Sequence, residues 1–380
     1  MLCISMYMPN VAQCVRLLKL TRPEYIHLRR QMLEILLETS KSFTAADAVL
    51  NFDDAVAVLV ITSIGPLEPV VDFQVNFWLS FLRYVVKSQN LFVQAADRSP
   101  IEMEERRRLW WATYIIDRHS SLALNLRPTY TDASCPLHLP SADDNWLQNR
   151  IDSPAVFDYH VATIDLFGLF IPLMRILGGI LEYHHLRSHP IFGAVASLRA
   201  NIEDKLIIWG CSFHGLLGLG PQDLPTSPLI ACYAYHIYHC LYVLLYGLMD
   251  LVSMYENTEW QASRDFILAG EHAMACASDP ELSLMSRLFG TYLLQASFIF
   301  LFLARKLPQT SKSIIIENCE VNMTALEVIA KKTNMEYQRH FARLLQQTIE
   351  RDMNEQDEDL GEDLLRYRWI AGHNGLRPLT

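Results

Sequence analysis

Residues 99–118 read SPIEMEERRRLWWATYIIDR, and this stretch decides the fold prediction. Ser99 is a candidate N-cap, Pro100 suits the first helical position, and Glu102 follows the cap at the three-residue spacing of a capping box. Apolar residues then recur at helical spacing until Asn125, where the pattern ends. The stretch therefore predicts one long helix with a well-defined start.

Three arginines stand directly before the tryptophan pair of this helix. A basic run is typical of nucleic-acid binding, but the acidic residues just upstream favour a core helix with ion-paired edges. Glu104 and Arg108 have the i,i+4 spacing of such a pair, and Glu105 and Arg108 have the i,i+3 spacing. The residues predicted to have structural roles are Arg107, Arg108, Trp110, Trp111, Asp117, Arg118 and Pro128.

Each of these residues has an expected neighbour. Trp110 and Trp111 should anchor the helix in the core, because large aromatic side chains gain most from burial. Arg107, Arg108 and Asp117 should pair across the helix edges. Arg118 should bind carbonyl groups of the loop from Pro128 to Pro140, and the proline-rich stretch 128–146 reads as an ordered extended loop.

Helical periodicity recurs along most of the chain and predicts an all-α fold, a large multi-helix domain. Residues 55–64 and 75–86 resemble an antiparallel helix pair of tetratricopeptide type, without a fixed-period repeat. We expect one domain over residues 1–349 and an acidic tail over 350–380, with a Gly- and Pro-rich loop at Cys211–Ser227. The predicted helices are Leu28–Leu37, Ala55–Ile64, Val75–Val86, Asp158–Ile171, Leu173–His185, Ala194–Trp209, Leu229–Val252, Arg264–Ala277, Leu282–Lys306, Ser313–Thr333 and Glu336–Met353.

Composition excludes several classes of protein. Of the 380 residues, 51% are hydrophobic and 19% are charged, which excludes a disordered chain and allows a large core. The net charge of −10 has the wrong sign for a protein that binds the phosphate groups of nucleic acid over its whole surface. The eight cysteines are scattered without a C-x-x-C, so we expect reduced core residues of an intracellular protein. The N-terminal residues 1–9 have neither a basic start nor a long apolar run, so we expect no secretory signal.

Two uncharged runs are long enough to raise the question of a membrane. Leu229–Met249 has 21 residues and Leu288–Ala304 has 17. The first run carries His236, His239 and five tyrosines, whose polar atoms are costly in lipid and useful in a helical core. We therefore expect buried core helices and keep the membrane span as the alternative.

The first of these runs also offers a candidate metal or ligand site. Cys232, His236, His239 and Cys240 share one helix face, but a single helix rarely completes a tetrahedral metal shell. Core side chains are the better prediction, and the sequence predicts no cofactor. A pocket for a small molecule beside Tyr235, His236 and His239 is the alternative.

No enzyme signature is found. The segment Gly210–Gly215 is not a nucleophile elbow, and the fragment Gly218-x-Gly220 is not a phosphate-binding loop. Asp143 and Asp144 are adjacent, and neighbours in an extended segment point opposite ways, which argues against a joint acid–base role.

The sequence resembles a known family at several motifs. The first set resembles the signature of the fungal-specific transcription factor domain, the middle homology region of zinc binuclear cluster regulators. It consists of Glu105–Trp111, Tyr114, Asp117–His119, Arg127-Pro128 and Pro140–Trp146. The second set resembles the xylanolytic transcriptional activator family. It consists of Tyr235-His236, Leu244–Asp250, Trp260, Ser263, Phe266, Glu271–Ala273, Phe289–Phe298, Cys319-Glu320, Glu336–Arg339 and Tyr367–Trp369.

This resemblance implies a nuclear, all-helical regulatory module without catalysis, in control of polysaccharide-degradation or secondary-metabolite genes. The six-cysteine zinc cluster is missing, since no two cysteines lie within seven positions of each other. We therefore expect no direct nucleic-acid contact and no membrane contact. The expected partners are a full-length zinc-cluster transcription factor or a second copy, as a hetero- or homodimer, and a small-molecule inducer. A truncated paralogue is the related alternative.

Overall fold

The computed structural model describes residues 51–64, 72–93, 98–124, 127–132, 138–148, 158–187, 196–218, 229–248, 257–276 except 262, and 316–327, with scattered single positions elsewhere. Within these residues the regular structure is helical and includes no strand, which confirms the all-α prediction. The helices are α1 (Phe52–Ile64), α2 (Asp72–Ser88), α3 (Pro100–Leu124), α4 (Asp143–Leu147), α5 (Leu166–Arg187), α6 (Ala196–Leu217), α7 (Leu229–Tyr246), α8 (Thr258–Gln261) and α9 (Arg264–Cys276). Residues 316–327 form a further helical stretch.

The chain divides into two compact units. The first contains Met1–Asp117 and Tyr130–Phe157, and the second contains Arg118–Thr129 and Asp158–Thr380. Helix α3 therefore contributes to both units, with the boundary after Asp117. The predicted acidic tail and the predicted helices at 28–37 and 336–353 lie almost entirely outside the described residues.

Helices α1 and α2 pack against each other in the first unit. Asn51 caps α1, because its side-chain oxygen accepts from the Asp54 amide while the Asp54 carboxylate accepts from the Asn51 amide. This reciprocal cap starts α1 at Phe52, three residues before the predicted start. Thr62 donates hydrogen bonds to the carbonyls of Val58 and Trp78, the second of which belongs to α2.

Helix α3 begins as its sequence predicts. The Glu102 carboxylate accepts from the Ser99 amide and hydroxyl at 2.9 Å, and the Glu102 amide donates to the Ser99 hydroxyl at 3.3 Å. These bonds complete the capping box and hold the pKa of Glu102 below its usual value. Trp110 and Trp111 are 1% and 0% exposed, so both indoles lie in the core.

In the second unit α7 packs on α5, α6 and α9, and α5 also packs on α6. Most α7 side chains are buried. Helix α5 is long and apolar enough to cross a membrane by length and composition alone, yet 67% of its apolar window is buried inside the described protein. Both helices have the burial of core helices. The second uncharged run, Leu288–Ala304, lies largely outside the described residues.

The sequence predicted a break between two helices at Pro172, and this prediction is wrong. Instead of two helices at 158–171 and 173–185, one continuous helix, α5, carries Pro172 in its interior. The apolar side chains on both sides of the proline are buried, and this packing outweighs the lost backbone hydrogen bond. The true start is set by Asp165, whose carboxylate accepts from the Gly168 amide, so residues 158–165 are a loop rather than helix.

Three larger differences from the prediction concern α6, α7 and α4. Helix α6 continues through Leu217, so the predicted loop at 211–227 is wrong over its first seven residues, because Phe213 is buried and stacks on Trp209. Helix α7 ends at Tyr246 rather than Val252, just before Gly247. The short helix α4 interrupts the predicted extended loop at 128–146.

Candidate functional site

A buried ionic cluster centres on Glu104 in the first unit. Glu104 is 0% exposed and accepts hydrogen bonds from Arg107 Nη1 at 2.5 Å, Arg108 Nε at 3.0 Å and the Ser141 amide at 2.8 Å. One carboxylate therefore serves two guanidinium groups and one backbone amide. We call Glu104, Arg107, Arg108, Ser141 and Asp143 the arginine network.

Arg108 extends this network from α3 to the segment that contains α4. Its Nη1 donates to Asp143 Oδ1 at 2.7 Å, and its Nη2 donates to the Ser141 carbonyl at 2.5 Å. Its guanidinium also lies over the Trp146 ring, 5.1 Å from the ring centroid. Because Arg108 is 2% exposed, these partners replace the water that its charge would otherwise bind.

One of the two predicted ion pairs forms, and a different pair replaces the other. The Glu104–Arg108 pair forms as predicted, but the i,i+3 pair joins Glu104 to Arg107 rather than Glu105 to Arg108. Glu105 is half-buried, and burial together with the nearby charges of Glu102 and Asp53 raises its pKa. The extended backbone predicted at Asp143 and Asp144 is wrong, since both residues lie in α4.

Arg106 is engaged differently from its two neighbours. Its Nη2 donates to the Gln89 carbonyl at 2.7 Å and to the Asn90 carbonyl at 3.2 Å. These carbonyls follow the last turn of α2, where Asn90 has a φ of 47°. Arg106 therefore caps the C-terminal end of α2, an end that favours cations.

A second ion pair ties α3 to α2 and to the loop that follows α3. Asp117 accepts from Arg83 at 2.6 and 3.0 Å and from the Tyr130 amide at 3.4 Å. Tyr114 donates to Asp132 at 2.5 Å, and Trp111 Nε1 donates to the His138 carbonyl at 2.8 Å. Together with the arginine network, these bonds fasten residues 130–132 and 138–143 along α3.

The other predicted structural residues have distinct places. Trp110 packs edge-on against Tyr130 at 4.7 Å between ring centroids. Arg118 belongs to the second unit and lies directly against Gly178 of α5, so close that a Cβ on that glycine would stand 2.7 Å from Arg118 Nε. Its predicted contact with loop carbonyls stays a prediction. Pro128 is half-buried.

The predicted pocket residues lie in an aromatic cluster of the second unit. Tyr235 stacks on Phe213, and His239 meets the Tyr235 ring edge-on at 4.4 Å. His239 Nδ1 lies 2.8 Å from His272 Nδ1, and His272 stacks on Tyr242 at 4.0 Å. We call Tyr235, His239, Tyr242 and His272 the histidine–tyrosine cluster.

The short contact between the two imidazoles requires that one nitrogen donates and the other accepts. Burial lowers the pKa of His239 well below its usual value and that of His272 to about 4, so both rings are neutral at pH 7. His236 is 3% exposed on the same helix. A ligand pocket at Tyr235, His236 and His239 stays a prediction.

Two further buried histidines, His119 and His184, hydrogen-bond elsewhere in the second unit. His119 Nδ1 and the Tyr292 hydroxyl share a hydrogen bond of 2.8 Å, and burial lowers the pKa of His119 to about 3. His184 Nε2 hydrogen-bonds the Leu244 carbonyl at 2.8 Å, and burial lowers its pKa to about 4. Among the described residues, no group of three or more His, Cys, Asp or Glu side chains could hold a metal ion.

Sequence reasoning missed several of these partners. Asp143 and Ser141 stood within a family-like motif, but pairing with Arg108 across 33 to 35 positions has no local signal. His272 stood in another such motif, yet only the packing of α7 on α9 brings it to His239. Nothing in the sequence marked Arg83 as the partner of Asp117, since it was one residue among others on a predicted helix.

The buried polar residues of the arginine network and the buried Asp117 fasten helices and loops to one another. Their role is to hold an all-helical scaffold together. The chain belongs to the family of the fungal specific transcription factor domain, whose family model matches residues 3–209. This is a family of transcription regulators rather than of enzymes.

Curated relatives agree with this assignment. The chain is 30% identical to the xylanolytic transcriptional activator xlnR of Aspergillus clavatus, over 72% of this chain and 35% of the relative. It is 31% identical to xlnR of Aspergillus niger, over 71% of this chain and 35% of the relative, and 31% identical to xlnR of Emericella nidulans, over 70% and 37%. The chain spans about a third of the length of these relatives. No solved structure matches it.

Proposed function

We propose that this chain is a regulatory module that acts in transcription through contacts with other proteins, in the nucleus. Its targets would be genes of polysaccharide degradation or of secondary metabolism. The relatives named xylanolytic activators, at 30% to 31% identity, support the first of these gene classes. The proposed partners are a full-length zinc-cluster transcription factor and a second copy of the chain.

The observation that carries this proposal is the burial of the arginine run within a family-matched region. Arg106, Arg107 and Arg108 are 7%, 7% and 2% exposed, so their charges face carboxylates and carbonyls rather than solvent. A basic run that binds nucleic acid must instead reach phosphates. Together with a net charge of −10, this favours contact with protein over contact with DNA.

The experiment tethers the whole 380-residue chain to a heterologous DNA-binding domain upstream of a reporter gene in a filamentous fungus. We expect reporter transcription to change several-fold relative to the DNA-binding domain alone, and the change to depend on growth on xylan. Glu104→Gln should abolish the change, whereas Glu105→Gln on the same helix should preserve it. An unchanged reporter, with the fusion protein present in the nucleus, would contradict the proposal.

A second measurement addresses the partner. The chain is co-expressed with a zinc-cluster regulator from the same fungus, and the two are tested for co-purification and for a supershift on that regulator's DNA site. We expect the chain to join the complex and to give no sequence-specific shift alone. A specific shift with the chain alone would show a DNA-binding role instead.

A further inference from the structure

Two imidazole nitrogens from different helices lie close together in the histidine–tyrosine cluster. His239 on α7 and His272 on α9 approach each other through their Nδ1 atoms, which are 2.8 Å apart. Because both rings are neutral at pH 7, each carries one nitrogen lone pair. The lone pair of a neutral imidazole is a ligand that first-row transition metals favour.

The spacing of the two nitrogens selects the geometry of such a metal. With metal–nitrogen bonds of about 2.0–2.1 Å, two nitrogens 2.8 Å apart subtend an angle of about 84–89° at the metal. Neighbouring ligands in a square-planar or octahedral shell stand at about this angle, and Cu²⁺ and Ni²⁺ adopt such shells. A tetrahedral zinc ion with the same bond length needs its nitrogens about 3.3 Å apart, which is longer than the observed distance.

Aromatic packing holds both rings in place. The ring of His272 stacks on Tyr242, with the ring centroids 4.0 Å apart and the ring planes at 5°. The ring of His239 meets Tyr235 edge-on at 4.4 Å, and the helices that carry the two histidines pack against each other. Ligands that are already positioned lose little conformational freedom on binding, which favours affinity.

The charged groups beside the pair suit a cation. The Tyr246 ring lies 6.4 Å from the His272 ring, and its hydroxyl donates to the Glu203 carboxylate at 2.8 Å. Arg199 lies over the other parts of this group but is paired with Asp265 through two hydrogen bonds of 2.8 and 2.5 Å. The charges of Glu203, Arg199 and Asp265 therefore sum to one negative charge near the histidines.

The pair is open to solvent through one of its members. His239 is 8% exposed, whereas His272 is half-buried. Among the described residues, no third His, Cys, Asp or Glu completes a metal shell, so water fills the remaining positions. His239 Nε2 is buried without a hydrogen-bond partner in either tautomer, so a metal at Nδ1 adds no further cost there.

We propose that His239 and His272 form a two-histidine site for a divalent transition metal ion of square-planar or octahedral geometry, Cu²⁺ or Ni²⁺. The ion replaces the hydrogen bond between the rings with two coordinate bonds, and each ring keeps its one proton on Nε2. The bound ion joins α7 to α9 and stabilises the folded chain by mass action. This inference goes beyond the proposed function, since it assigns a metal ion to the module.

The test is isothermal titration calorimetry of the untagged full chain with Ni²⁺, which does not oxidise cysteine. We expect one saturable site and a melting temperature that rises with added Ni²⁺. His239→Gln and His272→Gln should each weaken binding at least about tenfold, because only one imidazole ligand remains. His160→Gln removes an exposed histidine of the same unit, so it is the matched control and should leave binding unchanged.

A spectrum of the chain without substitutions keeps the test independent of how the variants fold. The exposed thiol of Cys211 is blocked with iodoacetamide, one equivalent of Cu²⁺ is added, and electron paramagnetic resonance counts the coordinating nitrogens. We expect two imidazole nitrogens. A spectrum without them would overturn the proposal, and so would absence of saturable Ni²⁺ binding or equal Ni²⁺ binding by His272→Gln and His160→Gln.

Discussion

Neutralising Glu104 without changing its shape tests the arginine network most sharply. Glu104→Gln keeps an oxygen acceptor but removes the charge that faces Arg107 and Arg108. Arg108 retains Asp143, whereas Arg107, at 7% exposure, loses the only carboxylate that the described residues bring to it. The variant therefore leaves a buried cation without its counter-ion.

The expected cost is large. Removing one partner of a buried ion pair costs about 3–5 kcal/mol, because the remaining charge stays desolvated. A domain of ordinary stability has a free energy of unfolding of about 5–15 kcal/mol, so the variant should lose a large share of it. Glu105→Gln should change the free energy of unfolding by less than about 0.5 kcal/mol, since Glu105 forms no ion pair in the described structure.

Urea unfolding followed by tryptophan fluorescence measures this difference, because Trp110 and Trp111 are buried beside the network. A double-mutant cycle of Glu104→Gln with Arg107→Met isolates the pair from other effects of each change. We expect a coupling of about 1–3 kcal/mol. Equal midpoints for Glu104→Gln and Glu105→Gln, at equal slopes, would refute the reasoning.

Three further predictions concern the core of each unit. Trp111→Ala should lower the free energy of unfolding by about 3–5 kcal/mol, since Trp111 is 0% exposed, and unchanged urea unfolding would contradict this. Gly178→Ala should destabilise the protein by about 1–3 kcal/mol, because the new methyl group would clash with Arg118. Gly215→Ala should stabilise it by about 0.5–1 kcal/mol, because nothing lies within 4 Å of the new methyl group. Thermal unfolding of the two variants tests both predictions, and equal melting temperatures would contradict them. Stability should fall as the pH drops from about 6.5 towards 4. Burial lowers the pKa of His272 to about 4 in the folded protein, so in this range the unfolded chain binds a proton that the folded protein does not. His272→Gln should flatten this slope in urea unfolding measured across that pH range, and an unaltered slope would count against the prediction.

The features that depend on only a few neighbouring residues could be predicted from the sequence. The capping box of Ser99 and Glu102 and the Glu104–Arg108 pair depend on spacings of three and four residues, and both form. The burial of Trp110 and Trp111 could be predicted because the acidic and basic residues of the same helix have the spacing of ion pairs, which favours a core helix. These features needed no knowledge of distant segments.

Other features depended on packing that no local pattern carries. Pro172 ends a helix by its own chemistry, yet buried neighbours on both sides keep α5 continuous. The stack of Phe213 on Trp209 extends α6 into a stretch whose glycines suggested a loop. Asp143 was expected in extended backbone, but α4 places its carboxylate on Arg108.

The candidate sites divide in the same way. His239 could be selected from a helix face, whereas its partner His272 comes from α9, 33 positions along the chain. Tyr242 is one of several tyrosines on α7, and only the packing of α9 on α7 stacks His272 on its ring. Long-range pairs of this kind require the fold.

The most direct test of the central claim compares the tethered chain with its Glu104→Gln and Glu105→Gln variants in the fungal reporter assay. The claim is that this chain regulates transcription through contacts with other proteins, and that the buried arginine network keeps it folded for that role. It predicts reporter output near that of the bare DNA-binding domain for Glu104→Gln and wild-type output for Glu105→Gln. Wild-type output from Glu104→Gln, at equal nuclear abundance and with its stability measurably reduced, would contradict the claim.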